Sequence, residues 1–499
     1  MSFYKPNKGK GRRDFLKVSG TAALASTLFG CDRAADVLFP HPPDLLGGVE
    51  EKALPRDSRI DLISHTVNRL TFGASPGEYA RVRGLAESEE EALDAFIEEQ
   101  LNPTAIDDSD CEWIIRRFET LRLPIGELFE YQEELLLEEV TRATILRAVY
   151  SKRQLHEVMV NFWSDHFNID SSKGDCRWLK VADDREVVRK HALGSFPEML
   201  RASALSPAML WYLDGRVNRK RNTDERPNEN YARELLELHT LGVHGGYTQK
   251  DVMETARCLT GWTVRSNEWF RNGAVEFEEK NHDDGEKVVL GETIPVGLGR
   301  KDLDRVLEII SLHPATAEFL ATKLCRRFIS DDPPQSAIEI TQQAFLSSGG
   351  DIPSTLRALF HTEEFKEARG QKLKRPFRYI VSALRATGAK TMAEQSLWDS
   401  LVRMGQAPFQ FPTPDGYPDA AEPWLGTLFW RWKFAVALCR NGIEGTEIQR
   451  EELKKACQTE EGLMAHFLGR LPNEVEKETF NSSEEGMALM LASPAFQRC

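Results

Sequence analysis

Apolar residues recur at helical spacing along most of the chain. Between Gly126 and Phe167 they fall at Leu128, Tyr131, Leu135, Val140, Leu146, Val149 and Leu155, which is the period of one helix face. Acids crowd the early part of this stretch and bases its middle, with Glu138 and Arg142 four residues apart. That order suits a helix dipole and a solvated face, and it predicts one or two long helices. The same spacing runs through 183–201 and 228–241, and returns at 301–311, 314–329, 335–347 and 352–360. Asp61 to Leu70 is a further helix. Ser75-Pro76-Gly77-Glu78 predicts the cap of the next one, with Pro at its first position. Thr248 and Asp251 form a capping box that opens a helix running to Leu259. One interval breaks the pattern. Val275–Glu278 and Lys287–Leu290 alternate, with the turn pair Asp284-Gly285 between them, so 274–296 predicts a β-hairpin or two short strands. The segment 405–424 holds five prolines together with Phe409, Phe411, Tyr417 and Trp424. So many large apolar side chains predict an ordered irregular loop rather than a linker. The fold class expected is mainly α: one large multi-helical body over 59–499 with one small β-hairpin insertion.

The first 58 residues read differently. Gly11-Arg12-Arg13-Asp14-Phe15-Leu16-Lys17 resembles a twin-arginine export motif, and a weakly apolar stretch follows from Val18 to Phe29. Leu28-Phe29-Gly30-Cys31 resembles a lipoprotein processing box, with Cys31 as the lipidated residue. Residues 1–31 are therefore set apart as a targeting segment. Residues 32–58, with Pro40, Pro42, Pro43, Gly47, Gly48 and Pro55, read as a linker. These readings predict export by the twin-arginine route to the periplasm or cell surface. Contact with a membrane would come only through a lipid at Cys31. No run of about 20 apolar residues follows residue 31, so no membrane-spanning helix is expected in the body.

The 499 residues carry a net charge of −14. Residues 1–30 hold six Lys or Arg and one Asp, so the remainder is more acidic still. Such a chain repels nucleic acid, and no basic stripe compensates. The eight cysteines are scattered, with no C-x-x-C pair, so a zinc ribbon and c-type haem attachment are excluded. Buried free thiols are expected instead. The absence of a phosphate loop, a G-x-S-x-G elbow and a G-x-G-x-x-G turn argues against nucleotide enzymes and α/β-hydrolases.

Chemistry concentrates in 228–262, where acids, bases and histidines share two short helices joined by a Gly turn. Asn230, Glu234 and Glu237 lie at i, i+4 and i+7 on one face. Glu229, Arg233 and Glu237 form a ready ion-pair ladder beside it. His239 sits in the last turn before Gly242, a C-cap position, where a protonated imidazole would meet the helix dipole. The cluster reads either as a structural lattice of ion pairs and caps or as the wall of a pocket. His166, flanked by Trp163, Asp165 and Phe167, is a second candidate. His191, at the end of a basic helical run, is a third. His156 reads as a structural histidine. His282-Asp283-Asp284 reads as a polar turn or a hard-cation site.

These landmarks, taken in order, carry a family resemblance. They are Asn68-Arg69-Leu70-Thr71-Phe72-Gly73-Ala74, Phe162-Trp163-Ser164-Asp165-His166-Phe167, Arg185-Glu186-Val187, His191-Ala192-Leu193-Gly194, and Ser206-Pro207-Ala208-Met209-Leu210 with Tyr212-Leu213-Asp214. The stretch 228–262, His313-Pro314-Ala315-Thr316-Ala317 and Ser493-Pro494-Ala495-Phe496-Gln497 complete them. Together they resemble an uncharacterised bacterial family catalogued as domain of unknown function 1800. Ser164 and Gly416-Tyr417 depart from the family pattern without touching an ionisable group. The resemblance implies an exported protein, often encoded beside an exported protein of the sulfatase and alkaline-phosphatase type. Two functions are expected from the residues. One is a metal-assisted hydrolase or lyase acting on an envelope or extracellular substrate. His166, His191, Glu234 and His239 would then supply metal ligands or acid–base groups, and Asn230 and Arg233 would orient substrate anions. A divalent metal would be zinc if imidazoles dominate the site, and calcium or magnesium if carboxylates do. The other is a non-catalytic envelope scaffold that binds the sulfatase-like partner.

Overall fold

A computed structural model describes residues 41–47, 54–55, 57–222, 225–266, 271–481, 483 and 485–499. The twin-arginine motif and Cys31 lie outside the described residues. The fold is mainly α, with three separate two-stranded sheets among the described residues. Buried side chains from Leu46 to Phe496 form one continuous apolar core. No described helix is long and apolar enough to cross a membrane.

The elements start and stop where side chains satisfy the backbone. Helix α1 (Leu62–Leu70) is capped by Asp61, whose carboxylate accepts from Ser64 N, as N-cap chemistry requires. Two long helices, α2 (Glu133–Tyr150) and α3 (Gln154–His166), fill the predicted stretch. The predicted helix over 183–201 is broken. Helix α4 (Cys176–Asp183) passes into a π-helical turn, Asp184–Arg189, the helix ends at His191, and the next one starts at Phe196. The wider turn suits Arg189, which pairs with Asp184 five residues back and with Glu157 of α3. Helices α5 (Asn230–Glu237) and α6 (Gln249–Cys258) pack on one another. The Thr248–Asp251 capping box is present, and Gly242 takes a positive φ of 80°. The run α7 (Lys301–Ser311), α8 (Pro314–Phe328), α9 (Gln335–Ser347) and α10 (Ile352–Phe360) follows the predicted boundaries closely. The helix there runs Glu78–Arg83 with Gly77 at its N-cap, so Glu78 and not Pro76 holds the first position.

The single predicted hairpin is two. Strand β1 (Trp262–Val264) pairs antiparallel with β2 (Val275–Phe277), and β3 (Lys287–Val289) pairs with β4 (Glu292–Ile294). Leu290 and Gly291, both at positive φ, form the tight turn between β3 and β4. Asp284-Gly285 is not a hairpin turn, because Asp283 is held by Arg257, Lys220 and Thr260. A third pair, β5 (Lys390–Thr391) with β6 (Thr446–Glu447), was not foreseen. The predicted linker is partly docked: Leu46 is 2% exposed and packs where a side chain on Gly388 would stand.

Helix α11 (Pro376–Ala386) is buried along its whole length. Its arginines reach backbone carbonyls far away in sequence. Arg378 donates to the oxygens of Asn68, Arg69 and Thr71, and Arg385 to those of Gly73 and Val149. Arg69 in turn donates to Ile329 O and Ala368 O. These guanidinia satisfy carbonyls where segments end inside the core.

Candidate functional site

Three elements meet at a cleft of about 370 Å³: the end of α3, the last turns of α8, and the loop 415–420. The loop is tied down from both sides. Asn168 donates to Phe411 O and Thr413 O, and Tyr212 to Pro412 O. Gly416 has φ of 72°, and a Cβ there would sit 2.1 Å from Asp165 O. Only glycine lets the loop lie this close to α3.

The cleft floor is a buried ion lattice. Asp165 accepts from Arg375 Nη1 at 2.7 Å, and Asn161 Oδ1 accepts from Arg375 at 2.9 Å and from Arg327 at 3.2 Å. Asp419 lies 3.2 Å from Arg327 and 3.4 Å from Arg375. Burial pushes the Asp419 carboxyl up, but Arg375, Arg327 and Lys372 together hold it well below the ordinary carboxylate range. At Asp165 the balance tips the other way: burial outweighs Arg375 and raises the carboxyl.

Above this floor stands Lys323. Its Nζ lies 3.0 Å from His166 Nδ1. His166 Nε2 faces His239 O at 3.1 Å. A carbonyl only accepts, so Nε2 carries the hydrogen and Nδ1 accepts from the lysine. Burial, with Lys323 and His239 beside it, drives the His166 pKa well below its ordinary value, so the ring is neutral. Lys323 has no carboxylate within ion-pair distance among the described residues. Burial lowers its amine to about 8, although Asp165 and Asp419 pull it upward. Arg326 also lines the cleft, its Nε donating to Asp331 O. Asp415 contributes a carboxylate at the margin.

The structure places the nominated residues unevenly. His166, His239 and Lys323 are neighbours, with the two imidazole centroids 6.2 Å apart. His239 is fully buried, and neither ring nitrogen has a partner among the described residues. Burial lowers its pKa to about 3, so it is neutral and does not serve the helix dipole as a cation. Glu234 is half-buried near Asp415; burial, Glu237 and Asp415 raise its pKa. Asn230 instead supports the backbone, donating to Leu213 O. Arg233 sits in the ladder with Glu229 and also reaches Gln249, while Glu237 leaves the ladder to accept from Tyr247 OH. His191 lies 4.0 Å from Glu198 and does not line the cleft. His156 bonds Arg189 O. His282 is buried against Asp302, which also takes Lys287 Nζ at 2.5 Å; Asp283 takes Lys220 and Arg257. The protein's own cations fill that turn.

Among the described residues, no three His, Cys, Asp or Glu side chains are grouped as metal ligands would be. At the nominated residues the donor set does not fit a metal. The His166 nitrogens are both engaged, one with an ammonium group, and a cation beside an ammonium is repelled. Sequence reasoning missed Lys323, Arg326, Arg375 and Asp419, while Asn161 stood in the polar cluster His156–His166 without a role. A signal was present: Asn161 and Asp165, like Lys323 and Arg327, stand at i, i+4 on one helix face.

Seven free cysteines are described, all buried. No curated protein and no solved structure matches the chain. One family model, described as a protein of unknown function, matches residues 65–498, nearly the whole length. The chain belongs to that family, DUF1800.

Proposed function

We propose that the protein is an exported enzyme of the hydrolase or lyase class, in which Lys323 moves the proton and no metal is required. The observation that carries this reading is the geometry of the Lys323 amine. It is desolvated, free of any carboxylate partner among the described residues, held by a neutral imidazole, and set in a cleft beside Arg326. With a pKa of about 8, about a quarter of the amine is unprotonated at pH 7.5. That is the range a general base needs. The unprotonated Nζ takes the proton next to the substrate carboxylate, the C–H electron pair becomes the new carbon–carbon double bond, and the bond to the β substituent breaks, its electron pair departing with that leaving group. The ammonium that forms keeps its bond to His166 Nδ1 and feels the carboxylates of Asp165 and Asp419. Arg326 holds an anionic substrate oxygen. A single base beside a fixed cation favours elimination next to a carboxylate over hydrolysis, because elimination needs no second nucleophile. The twin-arginine-like segment supports action outside the cytoplasm, on an envelope or extracellular substrate.

The test is the pH dependence of labelling by an amine-reactive acylating reagent, read lysine by lysine by mass spectrometry, with Lys323→Met as control. Lys323 should reach half its maximal rate near pH 8, about two units below exposed lysines. If it titrates with the other lysines, or is never labelled, the base assignment fails. The second reading, a non-catalytic scaffold beside a sulfatase-like partner, requires only that ordinary behaviour.

A further inference from the structure

The turn Glu422–Thr427 and the helix that follows it, α12 (Leu428–Cys439), present apolar residues to both sides. Phe434, Ala435 and Leu438 face the core, where α12 packs on α13 (Gly486–Ala492). On the outside, Leu425 is 53% exposed, Leu428 51%, Phe429 58% and Trp432 37%. Their spacing, i, i+3, i+4 and i+7, makes one continuous strip. Val402, 51% exposed, stands beside Arg403 on a helix that packs against α12. Single exposed apolar residues are ordinary, but a contiguous strip of aromatic and aliphatic side chains marks a contact surface.

The rim of the strip identifies the contact. Lys433 holds its ammonium 4.8 Å from the Phe429 ring centre and 5.5 Å from that of Trp430. Arg403 lies 5.5 Å from Trp430. Arg440, ion-paired with Glu485, lines the same groove, a hollow of about 510 Å³ bordered by Trp430, Trp432, Lys433 and Glu485. A chain of net charge −14 is repelled by an anionic surface at long range. Arg403 and Lys433, gathered around the exposed Phe429 and Trp432 with no acid paired to either among the described residues, offset that repulsion locally. Long basic side chains lying along aromatic rings, with their charges at the edge of an apolar strip, match the boundary between acyl chains and headgroups.

We propose that this strip docks the protein on an anionic phospholipid bilayer. Leu425, Leu428, Phe429 and Trp432 enter the acyl boundary, and Arg403 and Lys433 meet the headgroup phosphates. The inference does not depend on the chemistry at Lys323. The strip begins six residues after Asp419, so bilayer contact would bear on the segment that lines the cleft.

The full chain is sedimented with phosphatidylcholine vesicles, with and without about 30 mol% phosphatidylglycerol. Binding is expected only with the anionic lipid, and it should fall as salt rises from about 0.1 to 0.5 M. The double variant Phe429→Ser, Trp432→Ser changes exposed positions and should keep the fold by circular dichroism while weakening binding at least about tenfold. Lys433→Gln should weaken it about fivefold. Three results overturn the proposal: no binding to anionic vesicles; binding unchanged in the double variant, which would place it on the N-terminal apolar stretch; or a wild-type oligomer that the double variant dissociates, which would make the strip a chain-to-chain interface.

Discussion

Lowering the pH from 7.5 to 5 should strip the protein of a large part of its stability through buried neutral histidines. Burial lowers His239 and His65 to about 3 each; an unfolded chain returns both to 6.5. As pH falls below 6.5 the unfolded state takes up protons that the folded state refuses. The stability these groups confer is therefore complete above 6.5 and is lost as pH falls toward 3. For one such group the loss at pH 5 is about 2 kcal/mol, so the two together cost about 4 kcal/mol. His166 and His466 are shifted in the same direction by burial and add to the loss. A domain's whole stability is roughly 5–15 kcal/mol. Asp165 and Asp108, raised by burial, act in the opposite direction, because the folded state takes up their protons before the unfolded state does as pH falls. The assay is urea unfolding followed by circular dichroism at pH 7.5, 6.5, 5.5 and 5.0 (settings of about half to one pH unit, chosen to resolve the slope). His239→Leu should reduce the difference between pH 7.5 and 5 by about 2 kcal/mol, whatever it does to stability at neutral pH. A flat wild-type profile, or a variant with the wild-type difference, would refute the reasoning.

Two further substitutions probe the cleft. Asp419→Asn leaves Arg327 and Arg375 buried with one carboxylate fewer and should cost about 3–5 kcal/mol by denaturant titration; a loss below about 1 kcal/mol would show that the lattice does not depend on this charge. Gly416→Ala should cost more than Gly349→Ala, because both glycines have positive φ but only Gly416 faces Asp165 O, while Gly349 has open space. The control should lose about 1 kcal/mol, and equal melting temperatures for the two variants would remove the close approach from the account.

The run from α7 to α10 was legible because each helix carries its own evidence. Leu303, Val306, Leu307 and Ile310 keep the helical period, and His313-Pro314 opens α8 with the His313 ring accepting from Ala315 N. The pairing of β2 was not legible. Its partner β1 is three residues long, and the choice is made by Thr260 and Arg257 holding Asp283. In the site, His166, Glu234 and His239 stood out as polar residues in dense motifs. Lys323 did not, since a lysine on a helix reads as solvated face, and its partner His166 is 157 residues away. Arg375 and Asp165 are separated by 210. A divalent metal was one option because imidazoles and carboxylates share the motifs; the fold brings the Lys323 amine to the His166 imidazole.

The long-range arginine bonds constrain when this chain can fold. Arg378 and Thr71 are 307 residues apart, and Arg385 closes on Gly73 from 312 residues away. At about 5–20 residues per second, a ribosome needs roughly 15 to 60 s to deliver Arg378 after Thr71 has emerged. Throughout that interval the carbonyls at the end of α1 lack their partners, and the apolar face of α1 lacks part of its cover. Helix α1 is thus made early and is among the last segments to be completed. Contacts this distant slow folding and lengthen the time in which a holdase could engage the nascent chain.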